Sequence, residues 1–246
     1  MRGRMGRYAL WQVRDFMMGR GAAFVIIAVL LGVTSYLGLK SNGDAWKLSP
    51  AAAMMSRQAL AGPINFLSFI GIVIACNALV SADRAQGYFR FLFAKPVHLV
   101  QYYSQLWLLH GVCVLALAAV LTWLWGVFEV PVPIARVVAM FAIAYVLIGG
   151  VTFVLSTIMR YDWLITIVLW TLAQLIAAPF MLANRPNVKA VISAILPPQE
   201  HYAAVQKALA SATGEIPITD LVWVLGYGVA CVVVGLVILR KRPMAA

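Results

Sequence analysis

The 246-residue chain is 63% hydrophobic and only 11% charged, whereas a soluble domain carries charge on about a quarter of its residues. Apolar runs long enough to cross a bilayer recur along its whole length and leave no room for a separate soluble domain. The net charge of +11 comes from basic residues beside these runs, which favours membrane orientation and lipid headgroup contact over nucleic-acid binding. We therefore predict an all-α membrane protein in which residues 1–246 form a single domain.

The stretch before the first apolar run has the pattern of an amphipathic helix. Within residues 7–20, Leu10, Val13 and Met17 recur at helical spacing, and Trp11 flanks them. This arrangement predicts a short interfacial helix lying in the headgroup plane. The alternative is a solvated basic leader that only orients the first span. The apolar run that follows is too long for a signal-peptide core and has no A-x-A cleavage pattern after it, so we expect it to be retained.

The apolar runs predict six membrane-spanning helices. Because six is an even number, both termini lie on the same side of the membrane. Twelve of the 19 Lys and Arg residues fall on that side and seven on the other, so the positive-inside rule predicts cytoplasmic termini. The predicted spans are residues 22–39, 64–82, 104–127, 134–158, 163–183 and 221–239.

Small side chains repeat along the second predicted span. Ser68, Gly71, Ala75 and Ala78 follow one another at spacings of three and four residues, so they share one face of a helix. Small residues on a helical face let another helix approach closely. We predict that this face packs inside the helical bundle, with a dimer contact as the alternative.

The connection before the sixth span, residues 184–219, is long for a simple loop. Pro198 suits the first turn of a helix, and Gly214 suits the left-handed residue that ends one. A connection of this length usually carries structure of its own. We therefore predict one or two short helices here, on the external side.

Chemistry-bearing motifs are absent from the sequence. It contains no P-loop for ATP, no HExxH and no cluster of Cys and His residues. His110 is the only histidine inside a predicted span, and we expect it to hydrogen-bond a neighbouring helix or the backbone. No acid lies at mid-membrane, where an ion-driven carrier commonly keeps one. We predict no catalytic, cofactor-binding or metal site, so the energy for any transport comes from a partner.

The segment between the second and third spans, Ser81–Tyr103, is charged and aromatic. An acid and a base follow the span, a glycine permits a tight bend, and a proline ends any helix. A short helix held between two rigid spans can transmit movement, and an interfacial turn that merely connects the spans is the equal alternative. The residues that carry this pattern are Asp83, Arg84, Gly87, Phe91, Lys95 and Pro96.

This loop resembles the signature loop of permease subunits of ABC transporters, in the type-2 exporter class. Family members show an acid, a glycine, an apolar stretch and then Pro-Val after the second span. Asp83, Gly87, Phe91-Leu92-Phe93 and Pro96-Val97 match this order. The acid is usually Glu in the family, and His98-Leu99 replace the common Ser/Thr-Arg. The resemblance covers nearly the full length of the chain, including the N-terminal helix and the long external segment.

The resemblance implies a permease without a catalytic site of its own, which forms the translocation path of an exporter. It implies a second permease, identical or different, and separate ATPase subunits that bind ATP and Mg²⁺. These subunits are expected to act through residues 83–96, within a coupling loop at 83–99 that contains a coupling helix. The expected location is a prokaryotic cytoplasmic (inner) membrane, with lipids around the chain. The alternative is a non-transporting six-span scaffold or assembly subunit.

Overall fold

A computed structural model describes residues 2–41, 50–85, 98–128, 133–177, 191–192, 195–211 and 215–241. All regular secondary structure within these ranges is helical, which confirms the all-α class. The helices are α1 (Arg2–Phe16), α2 (Ala22–Ser41), α3 (Pro50–Cys76), α4 (Ser81–Ala85), α5 (Leu99–Phe128), α6 (Ile134–Ala144), α7 (Gly150–Ile158), α8 (Asp162–Ala177), α9 (Gln199–Ala210) and α10 (Ile218–Lys241).

Five helical stretches of the described chain are long and apolar enough to cross a membrane, and they indicate a multi-pass membrane protein. The helix α8 has 16 residues, fewer than the roughly 20 that a crossing needs. The fifth predicted span, residues 163–183, continues beyond α8 into residues outside the described ranges. The five stretches are Ala9–Gly38, Gly62–Ala85, Leu99–Val127, Ile134–Ile158 and Ile218–Lys241.

The chain divides into two compact units. The first unit comprises Met1–Ala75 and Leu109–Ala144, and the second comprises Cys76–Leu108 and Tyr145–Ala246. The long helices α3 and α5 contribute residues to both units. The single membrane domain inferred from the sequence stays a prediction.

In the first unit, α1 and α2 form one continuous helical stretch. The π-helical turn Met17–Gly21 joins them, and the residues on either side of it have right-handed helical backbone angles. A Cβ atom at Gly21 would lie 3.2 Å from the carbonyl oxygen of Phe16, so glycine suits this widened turn. The residues predicted to form an interfacial helix, 7–20, are therefore helical, but no break separates them from the first span.

The core of the first unit is built around Phe24. This side chain is fully buried and packs edge-on against Phe141, with 6.1 Å between the ring centroids. Gly71 in α3 leaves the space that the ring occupies, because a Cβ atom there would overlap it. Gly32 likewise leaves room for the indole of Trp125. Large rings against glycines therefore set the packing of α2 with α3 and α5.

In the second unit, α10 packs against α7 and against the π-helical turn Tyr145–Gly149 that precedes α7. The Tyr145 hydroxyl donates a hydrogen bond of 2.5 Å to the carbonyl oxygen of Trp107. The buried side of α10 includes Gly228 and Gly235, which allow close approach. Trp170 of α8 meets Tyr202 of α9 edge-on, with ring centroids 5.4 Å apart, so α9 is attached to α8 as well.

Candidate functional site

The second predicted span does not stay helical to its end. The helix α3 ends at Cys76, residues 77–80 form a turn, and α4 begins at Ser81. Within the turn, Ala78 has a φ of 53°. This left-handed conformation costs a residue other than glycine about 1–2 kcal/mol. Another interaction must therefore hold the turn.

The carboxylate of Asp162 provides that interaction. Its Oδ2 atom accepts a hydrogen bond of 2.8 Å from the backbone N–H of Ala78. Asp162 is fully buried and is the first residue of α8, where the helix dipole favours negative charge. A buried carboxylate requires hydrogen-bond donors, and a backbone N–H at a break in an apolar helix requires an acceptor. The contact gives Oδ2 a donor and gives the Ala78 N–H an acceptor.

Arg84 attaches α4 to the end of α7. Its Nη1 atom donates a hydrogen bond of 2.6 Å to the carbonyl oxygen of Thr157. Thr157 lies in the last turn of α7, where carbonyl groups have no intrahelical partner and the helix dipole favours a cation. Since α7 ends at Ile158 and α8 begins at Asp162, residues 77–85 are attached to both arms of one helical hairpin.

Hydroxyl groups link the two arms of this α7–α8 hairpin. The Oγ1 atom of Thr166 lies 2.8 Å from the carbonyl oxygen of Asp162 and 3.2 Å from Oγ1 of Thr152. The Thr152 hydroxyl donates in turn to the carbonyl oxygen of Ile148 at 2.8 Å. Both threonines are buried. The hairpin is therefore cross-linked close to Asp162.

Asp83 connects the chain on the two sides of residues 86–97. Its Oδ2 atom accepts a hydrogen bond of 3.0 Å from the hydroxyl of Tyr103, 20 positions later in the sequence. Tyr103 lies in the second turn of α5 and is fully buried. Tyr102 packs edge-on against it, with ring centroids 5.1 Å apart. The hydrogen bond therefore holds α4 against the first turns of α5.

The predicted coupling residues fall partly within the described chain. Asp83 and Arg84 lie in α4 and make the contacts given above. No sequence pattern pointed to Thr157, the partner of Arg84, or to Asp162. The one signal for Asp162 is an acid in the short connection between two apolar runs. Four of the six predicted residues lie outside the described ranges, with most of the loop 83–99: Gly87, Phe91, Lys95 and Pro96.

The residues predicted for helix packing are divided between a helix and a turn. Ser68, Gly71 and Ala75 are buried in α3, and Gly71 faces the ring of Phe24. Ala78 lies in the turn after α3. The helical spacing of small residues therefore extends only to Ala75.

The residues predicted for the interfacial helix lie mostly on the outer side of α1 and of the π-helical turn after it. Leu10, Trp11 and Met17 are exposed, and Val13 is half-buried. Exposed apolar side chains on such a helix fit contact with lipid. Gln12 points the other way, because it is only 3% exposed. Neither amide atom of Gln12 has a hydrogen-bond partner among the described residues.

His110 in the first unit makes the backbone contact expected from the sequence. Its Nδ1 atom lies 2.9 Å from the carbonyl oxygen of Ala75 and 3.4 Å from Nη1 of Arg20. Since a carbonyl only accepts, Nδ1 carries the hydrogen and donates it to Ala75. Ala75 lies in the last turn of α3, where carbonyl groups need partners outside the helix. The ring of Phe16 covers the imidazole at 4.8 Å.

A second polar cluster lies at the start of α9. The Nδ1 atom of His201 is 2.6 Å from Oδ1 of Asp220 in α10, and the imidazole stacks on Trp223 with 5.9 Å between centroids. A cavity of about 80 Å³ lies beside it, with Gln199 and Ala173 in its wall. These contacts attach α9 to the first turns of α10.

Within the described ranges, no group of three or more His, Cys, Asp or Glu residues is placed to hold a metal ion. Cys76, Cys113 and Cys231 are free thiols. Neither a protein-family model nor a curated protein sequence matches the chain. The function is therefore inferred from the chain's own residues.

Proposed function

We propose that this chain is the permease subunit of an ATP-driven exporter of the ABC type, and that separate ATPase subunits act on it through residues 83–96. The observation that carries the proposal is the attachment of both sides of this loop to membrane helices. Arg84 attaches α4 to the end of α7, and the hydrogen bond between Asp83 and Tyr103 attaches α4 to α5. A loop that receives force from a partner needs such rigid ends, whereas a plain connecting turn does not.

The proposal gives each part of the chain a side of the membrane. Both termini and the coupling loop face the cytoplasm of a prokaryotic cell, in agreement with the excess of Lys and Arg there. The helix α9 and the cluster around His201 face the outside. A second permease, identical or different, completes the pore, and ATP and Mg²⁺ are bound by the ATPase subunits. Lipids contact the exposed apolar side chains, and the substrate leaves the cell.

Site-specific crosslinking tests the proposed partner. A photoreactive phenylalanine analogue replaces Phe91 in the tagged chain, which is expressed in its own host and extracted in mild detergent. We expect a crosslink to a protein that radiolabelled azido-ATP also labels. The matched control carries the analogue at Ile218, which is 76% exposed and which the proposal places on the external side. The proposal is wrong if no ATP-binding protein is captured from position 91, or if position 218 captures the same protein.

Substitutions in the loop test whether the contact matters for activity. Gly87→Leu and Pro96→Ala are introduced separately, and the ATPase activity of the purified complex is measured in lipid vesicles. We expect either change to lower this activity by about tenfold, as losing one interaction worth roughly 1.4 kcal/mol would do. Gly19→Ala is the control, because a Cβ atom there meets no atom within 4 Å. A scaffold subunit would instead yield no ATPase activity above that of empty vesicles.

A further inference from the structure

We infer that the α7–α8 hairpin receives movement directly from the coupling loop, and that Asp162 is the residue that positions the loop for this. The inference rests on the proposed function and extends it. In the proposal alone, the loop moves the two helices that flank it in sequence, α3 and α5. The hydrogen bonds of Asp162 and Thr157 add the hairpin as a third recipient.

Two contacts at different points restrain residues 77–85 near both ends of the segment. One joins Ala78 to Asp162 at the start of α8, and the other joins Arg84 to Thr157 at the end of α7. A single contact would let the segment pivot about it. With two contacts, a displacement of the segment also displaces the hairpin.

The contact at Ala78 cannot be exchanged for a local one. Ala78 follows the end of α3 and has a left-handed backbone conformation. The acceptor comes from Asp162, 84 positions later in the sequence. Without this carboxylate, the turn would keep a strained residue and lose the acceptor for its amide group. Asp162 is therefore a positioning residue that acts through the turn.

The hairpin is in close contact with α10, so a displacement of the hairpin also displaces α10. Thr166 and Thr152 hold α8 to α7, and Gly150 brings the backbone of α7 against the carbonyl of Gly228 in α10. Packed helices of this kind shift as units, because their contacts leave little room for local adjustment. The path therefore continues from the loop to the last membrane helix.

Hydrogen exchange on the purified chain tests the contact itself. We compare amides 77–85 in the wild type, Asp162→Ala and Asp162→Asn. The alanine variant is expected to exchange about tenfold faster in this segment because the acceptor is lost. The asparagine variant is expected to stay near the wild type because its side-chain oxygen still accepts. Glu215→Ala, an exposed acid of the same unit, is the control. Equal exchange in the wild type and the alanine variant would overturn the inference.

A second measurement separates positioning from simple loss of structure. The double variant Ala78→Gly with Asp162→Ala keeps the turn unstrained and removes the contact with Asp162, so that only the hydrogen bond from Arg84 to Thr157 joins the segment to the hairpin and the segment can pivot about it. Exchange at residues 77–85 and 158–163 is compared in the complex with the ATPase, before and after vanadate trapping. In the wild type we expect both segments to respond, and in the double variant only residues 77–85.

The outcomes distinguish the inference from the proposed function. A response at residues 158–163 that survives in the double variant would overturn the inference and leave the proposed function intact. The inference also fails, and the proposed function stands, if residues 77–85 respond in the wild type and residues 158–163 do not. A wild-type preparation with no ATPase, or with no response at residues 77–85, would instead overturn the proposed function, and the role of Asp162 in coupling with it.

Discussion

Gly150 and Gly228 bring the backbones of α7 and α10 into direct contact. A Cβ atom at Gly150 would overlap the carbonyl oxygen of Gly228, and a Cβ atom at Gly228 would overlap that of Val146. Lipid gives no hydrophobic driving force between membrane helices, so close contacts between small residues supply much of their association. The attachment of α10 to the second unit thus depends on glycines that have no room for a side chain.

Gly228→Ala tests this attachment. We expect it to lower the free energy of unfolding by about 1–3 kcal/mol, because the added methyl group must displace the backbone of the π-helical turn. The measurement is unfolding of the purified chain in mixed detergent micelles, followed by circular dichroism. Gly226→Ala in the same helix is the matched control, because a Cβ atom there meets no atom within 4 Å. Equal losses in the two variants would contradict the close contact.

Ala78→Gly is expected to raise the stability of the second unit. Glycine adopts the left-handed conformation at φ 53° without the steric cost that alanine has there. A gain of about 1 kcal/mol is expected, measured by the same unfolding assay. Ala75→Gly, in the last turn of α3, is the control and is expected to lose about 0.5–1 kcal/mol, as glycine does within a helix. Effects of the same sign at both positions would exclude a left-handed residue at 78.

His110→Leu tests the contact that covers the end of α3 in the first unit. The substitution removes the donor to the Ala75 carbonyl oxygen and replaces the imidazole with an apolar side chain of similar size. We expect a loss of about 1–3 kcal/mol, the usual effect of leaving a buried acceptor without its donor. His98→Leu is the control, because His98 is exposed, and it should change stability by less than about 0.5 kcal/mol. If His110→Leu leaves the free energy of unfolding unchanged, the Ala75 carbonyl oxygen finds another donor.

Gln12→Met is expected to stabilise the first unit. The Gln12 amide is buried and neither of its polar atoms has a partner among the described residues. Replacing it with an apolar side chain of similar length removes a desolvation cost of about 1–3 kcal/mol. Gln174→Met in α8 is the control, since Gln174 is exposed and its amide is solvated. A loss of stability at position 12 would mean that the amide makes a hydrogen bond in the folded protein.

Hydrophobic runs predicted where the long helices lie, because burial in an apolar phase depends chiefly on composition. The second span was expected to begin at residue 64, in agreement with the apolar stretch Gly62–Ala85. The ends of the helices themselves were predicted less well, because α3 begins already at Pro50 and continues through Pro63. Proline ends most helices in water, whereas membrane helices tolerate it when neighbouring groups satisfy the freed backbone. The sequence pattern around Pro63 does not separate these two cases.

The break at residues 77–80 has only one weak local signal, Asn77, a residue type common in turns. The run through Leu79 and Val80 is apolar and fits a continuous helix. What ends the helix is a hydrogen bond to Asp162, which only the folded chain brings close. Asp83 and Arg84 were identified from the sequence because they flank a loop with a known pattern. Their partners come from other helices, and a pattern along one stretch of sequence does not reveal them.

The hydrogen bond between Asp83 and Tyr103 also has a consequence for redesign. It holds Asp83 and Tyr103 together, so the entropic cost of closing a loop between them is set mainly by the loop's length. Each doubling of a flexible loop's length adds only about 0.6 kcal/mol to that cost. A change of length or sequence between these two residues is therefore expected to leave the helices on either side folded. Under the proposed function, exchanging this stretch with that of another ABC permease tests whether it selects the ATPase subunit.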